Sequence, residues 1–172
     1  MKKIIIILIT LIILGVVGYS LYYFYLKTNY YVVSNGADIS EATGPAILKK
    51  DPSKCLKIRM PFLSRYEPMS PGYSEKTQIA RCYTEVAVAL KDPEICEKSS
   101  GKDSCFYRIA TELRDLLICQ RISPFSNSED SCYSYFLQEK GSESLCREIT
   151  EAEGRRERCY SIYQSIRRIQ DR

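Results

Sequence analysis

Thiol chemistry is the first chemistry that this sequence suggests, because the chain contains eight cysteines and no histidine. Cysteines form structural disulfides, bind metal ions as thiolates or exchange electrons with other thiols, and their number and positions separate these roles. An even number predicts four disulfides with no thiol left over. The cysteines are Cys55, Cys82, Cys96, Cys105, Cys119, Cys132, Cys146 and Cys159.

Metal binding and redox catalysis do not fit these positions. The chain has no C-x-x-C pair, and the gaps between neighbouring cysteines from Cys82 onward do not match zinc knuckles. Thiol oxidoreductases also favour closely spaced cysteines. Without histidine, the chain lacks the usual general base near neutral pH and the imidazole ligand of metal sites. We therefore expect structural disulfides, no metal, no cofactor and no catalytic residue.

The cysteines alternate between two sequence contexts. The first type lies in K-C-L-K-I, I-C-E-K, I-C-Q-R-I and L-C-R-E-I, and the second type precedes Tyr or Phe. The second-type cysteines recur at separations of 23, 27 and 27 residues, which predicts four copies of one supersecondary unit. We name these copies units 1 to 4, and they comprise residues 51–90, 91–113, 114–140 and 141–172.

Each unit is predicted to contain a short helix, a loop and a longer helix. A candidate helix N-cap stands four residues before each first-type cysteine. These caps are Asp51, Asp92, Asp115 and Ser142. In the longer helices apolar residues recur at helical spacing, as at Cys105, Ile109 and Leu113. The predicted starts of three of them are Ser74, Ser128 and Gly154. The predicted fold class is all-α, an array of short helical hairpins stapled by disulfides.

Two disulfide pairings are compatible with this order of helices. A first-type cysteine lies near the end of a short helix and the next cysteine near the start of a longer one, so a turn brings both within bonding distance. We therefore predict pairs within units, namely Cys55–Cys82, Cys96–Cys105, Cys119–Cys132 and Cys146–Cys159. The alternative joins neighbouring units through Cys82–Cys96, Cys105–Cys119 and Cys132–Cys146, and leaves Cys55 to pair with Cys159.

The amino-terminal segment has the length and composition of a membrane span. Ile4 to Leu26 carries no charge and would extend roughly 34 Å as a helix, against about 30 Å for a bilayer core. Tyrosines in its second half suit the membrane–water boundary, and Lys2 with Lys3 predicts a cytoplasmic amino terminus in the cell membrane with the rest outside. A cleaved signal peptide is the alternative. We favour a retained anchor because the apolar run continues past both weak cleavage sites, at Gly18 and Ser20.

Residues 1–27 are thus predicted to be a cytoplasmic tip and anchor, and residues 28–50 an extracytoplasmic linker before the cysteine-rich domain at 51–172. The linker lacks strong periodicity and contains Gly36, Gly44 and Pro45, which predicts a stalk with a short extended piece at 30–33. Unit 1 is irregular, because a long proline-containing segment separates its two cysteines. Residues 56–81 are therefore a candidate surface loop.

The alternation of L/I-C-x-x-I with C-Y/F-x-x-x-A, as in Cys105-Phe106-Tyr107-Arg108-Ile109-Ala110, resembles the cysteine-rich helical repeats of exported archaeal proteins. The resemblance covers about residues 51–172 and implies a fold and an exported location without implying an activity. Units 3 and 4 depart from the pattern, with Phe136 and Tyr163 near the position of the small residue.

Charge and aromatic content exclude or weaken several functions. The net charge of +4 owes three charges to Lys2, Lys3 and Lys27, so the domain is nearly neutral and no nucleic-acid partner is expected. The aromatic helix faces are interpreted as packing surfaces between helices. The carboxy-terminal arginines alternate with acids and are interpreted as a solvated helix face. They are Arg155, Arg156, Arg158, Arg167 and Arg168.

These observations predict a membrane-anchored extracytoplasmic module for protein interaction or scaffolding, because helical arrays present continuous surfaces for binding. Its partners are expected to be the membrane and another protein. One alternative is an accessory subunit of a larger membrane complex. Another is an envelope enzyme with its site in segment 56–81.

Overall fold

The computed structural model describes residues 2–33, 39–60, 74–149 and 154–170. Within these ranges the chain is all-α, with six α-helices, four 3-10 helices (η) of six residues each and two short strands. In chain order the elements are α1 Lys2–Asn29, β1 Tyr31–Val32, α2 Ser40–Leu48, η1 Pro52–Lys57, β2 Ile58–Arg59, α3 Glu75–Leu90, η2 Pro93–Lys98, α4 Lys102–Leu113, η3 Leu116–Arg121, α5 Asn127–Lys140, η4 Glu143–Glu148 and α6 Arg155–Gln170. The predicted all-α class with disulfide-stapled helices is confirmed.

Helix α1 is apolar on every side and lies apart from the core. Its mean hydropathy reaches 2.9 over an 18-residue window, and none of that window is buried within the protein. Leu26, near its carboxyl end, is buried. The helix is therefore long and apolar enough to cross a bilayer.

The four short helices share one plan. In each, the first-type cysteine is the fourth of six residues, and the residue before the helix caps a backbone N–H two positions further on. The caps are the predicted ones, Asp51, Asp92, Asp115 and Ser142, with N···O distances of 3.1, 3.0, 2.9 and 3.2 Å. The residue after each helix is extended and buried; these residues are Ile58, Ser99, Ile122 and Ile149. Each short helix is therefore fixed at both ends by its own sequence.

A left-handed residue precedes each of these caps and ends the preceding α-helix. These residues are Lys50, Lys91, Arg114 and Gly141, with φ between 50° and 62°. At the first three, the next N–H donates to a carbonyl five residues back, on Ala46, Ala87 and Ala110. This is the hydrogen bond of a Schellman end, and it reverses the chain within two residues.

Residues 39–50 correct the prediction of a linker. Ser40–Leu48 forms helix α2, which buries Ala42 and Ala46 completely and packs against η1 and α3. Its end has the same left-handed junction as the later α-helices, so α2 is the first helix of the stack rather than a stalk. The sequence concealed it because its buried face consists of small residues and because Pro45 lies inside the helix. The predicted extended piece is present as β1, which pairs with β2 in parallel, Tyr31 opposite Ile58.

The longer helices pack in chain order, α2 on α3, α3 on α4, α4 on α5 and α5 on α6. The predicted cap Ser74 accepts a hydrogen bond from Thr77 N at 3.1 Å, and α6 follows Gly154 directly. The predicted start of α5 at Ser128 is wrong by two residues. Ser126 is the cap, since its Oγ accepts a bond from Glu129 N at 3.2 Å.

The left-handed junctions make a stability prediction. Gly141→Ala should lower the free energy of unfolding by about 1 kcal/mol, because an L side chain is strained at positive φ while the site itself has open space. Gly44→Ala is the matched control: it lies in helix α2, also in open space, and should raise the stability by up to about 1 kcal/mol. Thermal or denaturant unfolding measures both, and equal effects would contradict the role assigned to Gly141.

Candidate functional site

All eight cysteines form disulfides, and they pair within units. The bonds are Cys55–Cys82, Cys96–Cys105, Cys119–Cys132 and Cys146–Cys159, with Cα–Cα distances of 5.5–5.8 Å. The predicted pairing is therefore the one observed, and the pairing between units is not. Each bond links the fourth residue of a 3-10 helix to the following α-helix. No cysteine is more than 1% exposed, so the sulfur atoms are closed to reagents and substrates in the folded chain.

The interpretation of the aromatic faces as packing surfaces is confirmed in units 1 to 3. The rings that follow the second-type cysteines are Tyr83, Phe106 and Tyr133, which are 3%, 0% and 0% exposed. The corresponding Tyr160 in the last helix is half-buried against the same core. These side chains form the core between helices.

Charged residues link successive units on the surface. Arg121 of η3 donates to Glu94 and Glu97 of η2, and its guanidinium lies 4.6 Å above the Phe106 ring. The hydrogen bonds from Arg121 lower the pKa of the Glu94 carboxyl below its usual range. Arg158 of α6 likewise pairs with Asp130 of α5, with Nε 2.8 Å from Oδ1. Such exposed pairs contribute little to stability, typically about 0–1 kcal/mol each.

A buried ion pair connects units 3 and 4. Glu129 of α5 is fully buried and Arg155 of α6 is 7% exposed, with Nη1 3.4 Å from Oε1. Arg155 also donates to the backbone carbonyls of Gln120 and Ile122 at the end of η3. The prediction of a solvated arginine face is therefore wrong for Arg155, whereas Arg158, Arg167 and Arg168 are exposed. Neither member of this pair was singled out as a structural group from the sequence, although the Ser126-x-x-Glu129 spacing is a capping signature.

Both oxygens of the Glu129 carboxylate have partners. Phe125 N donates to Oε2 at 2.6 Å, and the Tyr133 hydroxyl donates to Oε1 at 3.2 Å. Burial, followed by the charge of Glu129, raises the pKa of Tyr133 well above its usual value. The Glu129 carboxylate thus accepts hydrogen bonds on both oxygens in a site closed to solvent. Among the described ranges, no group of three or more His, Cys, Asp or Glu side chains could hold a metal ion.

Several open clefts lie on the surface. One, which we call the α1 cleft, has a volume of about 390 Å³ and lies where α1 meets the stack. Its walls include Tyr23, Lys27, Tyr30, Tyr31, Glu41 and Lys57. Another of about 400 Å³ lies between units 1 and 2, beside Lys50, Leu90 and Lys98. Both clefts carry two lysines, and the α1 cleft differs from the second in carrying three tyrosines, whose hydroxyls can donate hydrogen bonds.

The segment 56–81, considered as an enzyme site or contact loop, falls only partly within the described residues. Its beginning forms η1 and β2, and its end from Glu75 onward is the regular helix α3. Residues 61–73 lie outside the described ranges. No protein-family model, curated protein or solved structure matches the chain. Its function must therefore be argued from the geometry given above.

Breaking the buried ion pair should be costly. Arg155→Met leaves the Glu129 charge buried without its cation, and we expect the free energy of unfolding to fall by about 3–5 kcal/mol. Arg158→Met, three residues further along the same helix, removes an exposed pair and should have a far smaller effect. Denaturant unfolding with the disulfides intact measures both. Equal losses in the two variants would contradict the structural role of Arg155.

Proposed function

We propose that the chain is a membrane-anchored, extracytoplasmic helical repeat module that binds another protein. The observation that carries this proposal is the combination of a fully apolar, unburied helix α1 with a stack in which every cysteine is sealed in a buried disulfide. The first feature suits a lipid environment. The second suits a compartment in which disulfides persist.

The orientation of the proposed anchor follows from charge. Lys2 and Lys3 precede the apolar run, so the positive-inside rule favours a cytoplasmic amino terminus. The stack follows α1 and would then lie outside, where its four disulfides form. The positive-inside rule and the disulfides thus both favour an extracytoplasmic location for the stack, with α1 anchored in the cell membrane.

Binding is the function that a stacked array serves most directly. The shared plan of the 3-10 helices, with caps, cysteine and extended exit in the same places, supports the interpretation of units 1 to 4 as repeats. Stacked repeats form a continuous surface of exposed side chains, which suits recognition of a partner along several units. The similarity to exported archaeal proteins with cysteine-rich helical repeats agrees with this proposal. The proposed function includes no catalytic activity and requires no cofactor or metal.

The segment 56–81 is the proposed contact surface, and its residues 61–73 lie outside the described ranges. The chain positions on either side of them are held together, because Met60 N donates to Glu75 Oε2 at 3.1 Å and Arg59 pairs with Glu75 at 3.4 Å. A far shorter connection would span such closely held ends. The extra length is available for recognition.

A second proposal assigns the chain to a larger membrane complex as an accessory subunit bound through α1. Co-purification in mild detergent separates the two proposals, since an accessory subunit should be recovered at fixed stoichiometry through the anchor alone. An enzyme site within 56–81 is the remaining alternative, and the absence of histidine weighs against it.

The anchor makes a topology prediction. Alkaline carbonate should leave the full-length protein in the membrane pellet, because the apolar run would be retained in the bilayer. Protease added to intact spheroplasts should degrade residues beyond Lys27 only after reduction of the disulfides. Recovery of a soluble form beginning near Tyr19 or Leu21 would show cleavage instead and overturn the anchor.

The contact segment makes a binding prediction. After crosslinking identifies a partner, replacing residues 61–73 by a Gly/Ser segment of equal length should weaken its binding at least tenfold while all four disulfides still form. Met60 is kept, because it is buried and its N–H is bonded. The control variant Glu94→Gln/Glu97→Gln changes the face of unit 2 and should leave binding unaltered. If the control variant weakened binding and the Gly/Ser replacement did not, the contact would lie on the helical face of unit 2 instead.

A further inference from the structure

The α1 cleft lies where the apolar helix meets the cysteine-stapled stack. Tyr23 and Lys27 belong to the last turns of α1, Tyr30 and Tyr31 to the start of the following strand, Glu41 to α2 and Lys57 to η1. Four elements therefore enclose one open volume of about 390 Å³.

The walls of the cleft are fixed to each other. Strands β1 and β2 pair in parallel, and Val33 N donates to Arg59 O at 3.0 Å. The Arg59 guanidinium lies 4.8 Å above the Tyr30 ring and is itself bonded to the Ile58 carbonyl at 2.7 Å. The end of α1 and the first short helix are thereby held as one body, so the cleft is preformed.

Several acceptors in the last two turns of α1 are occupied. The Thr28 hydroxyl donates to the carbonyls of Phe24 and Tyr25 at 3.1 and 3.0 Å, and the Asn29 amide donates to Tyr25 O at 2.9 Å. Tyr30 N donates to Leu26 O at 2.8 Å. Of the four carbonyls that make the carboxyl end of α1 negative, those of residues 26–29, the Leu26 carbonyl is covered by the Tyr30 N–H.

The groups left over in the cleft are mainly donors. Lys27 and Lys57 have no ion-pair partner among the described residues, and three tyrosine hydroxyls carry no hydrogen bond there. Glu41 is the one acid in the lining, so the cleft has one net positive charge. Two ammonium groups with several hydroxyl donors suit a phosphate group, which accepts hydrogen bonds through its charged oxygens.

The position of the cleft relative to the bilayer indicates which phosphate-containing molecule would bind there. If α1 spans the bilayer as proposed above, the aromatic residues around Tyr23 lie at the membrane–water boundary and Lys27 one turn beyond it, at the level of the lipid phosphates. We propose that the α1 cleft binds the headgroup of an anionic phospholipid in the outer leaflet, with its phosphate diester between Lys27 and Lys57. Glu41 accepts a hydroxyl of the headgroup and disfavours a second anionic charge.

The test uses the full-length protein in mild detergent and a fluorescent phosphatidylglycerol as the probe, with the matching phosphatidylcholine for comparison. Lys27→Gln and Lys57→Gln should each raise the Kd for phosphatidylglycerol about fivefold, the effect of one basic residue at a lipid surface. Glu41→Gln should not weaken binding. The control variants Lys49→Gln and Lys102→Gln remove exposed lysines outside the cleft lining and should leave the Kd unchanged. Non-reducing peptide mapping shows that each variant keeps its four disulfides.

Three results would overturn the cleft site. They are equal affinity of the unaltered protein for the two lipids, equal losses in the cleft and control variants, and complete displacement of the lipid by inorganic phosphate at an equal concentration. The last would identify a free phosphate as the ligand. Retention of the protein after alkaline carbonate, together with any of these, would reject the headgroup site alone. Release by carbonate would reject the anchor on which the site depends.

Discussion

A covalent bond between a six-residue 3-10 helix and the α-helix that follows it is the constraint on which this fold depends. Helices this short are marginally stable in water, because the conformational entropy lost on nucleating a helix outweighs the stabilisation from its few hydrogen bonds. Each disulfide restricts the unfolded chain and stabilises its unit by about 2–4 kcal/mol. In each unit the cysteine is the fourth residue after a side-chain cap. The cap fixes the direction of the short helix, and the disulfide fixes its distance from the following α-helix. The core between the helices combines buried aromatic rings, such as Phe106 and Phe136, with buried aliphatic side chains such as Ile109.

Contacts between units are of a different kind. The covalent links lie within units, whereas adjacent units are joined by packed helices and by arginines that reach back to the preceding unit. Arg121 makes such a contact on the surface and Arg155 makes one in the interior. The two have different physical consequences, because an exposed pair is screened by solvent while a buried cation must be matched by a carboxylate, here Glu129. Adjacent units are therefore kept in order by contacts between side chains that belong to different units.

Much of this architecture could be predicted from local sequence, and the part that could not is tertiary. Caps such as Asp92 act on a backbone N–H two residues away, so short spacing alone reveals them. The order of the helices is compatible with two disulfide pairings, and the expected approach of the short and the longer helix within a unit favours the pairing that is observed. Helix α2 was missed because Gly44 and Pro45 resemble a loop, and its burial depends on α3, which is remote in sequence. The Glu129–Arg155 pair was missed for the same reason, since nothing local distinguishes Arg155 from the exposed arginines near it. The residues of the α1 cleft can be read from the sequence, but the sequence does not show that the fold brings them together.

The two-residue pairing between β1 and β2 has a mechanical consequence. A stalk would let the stack rotate freely above its anchor, but here the chain leaves α1 and enters a parallel strand pair almost at once. If α1 spans a bilayer as proposed, its tilt would be transmitted to the stack through the contact between Tyr30 and Arg59, and the units would keep a fixed orientation relative to the bilayer plane. A change in bilayer thickness that altered the tilt of α1 would then change which side of the array faces the membrane.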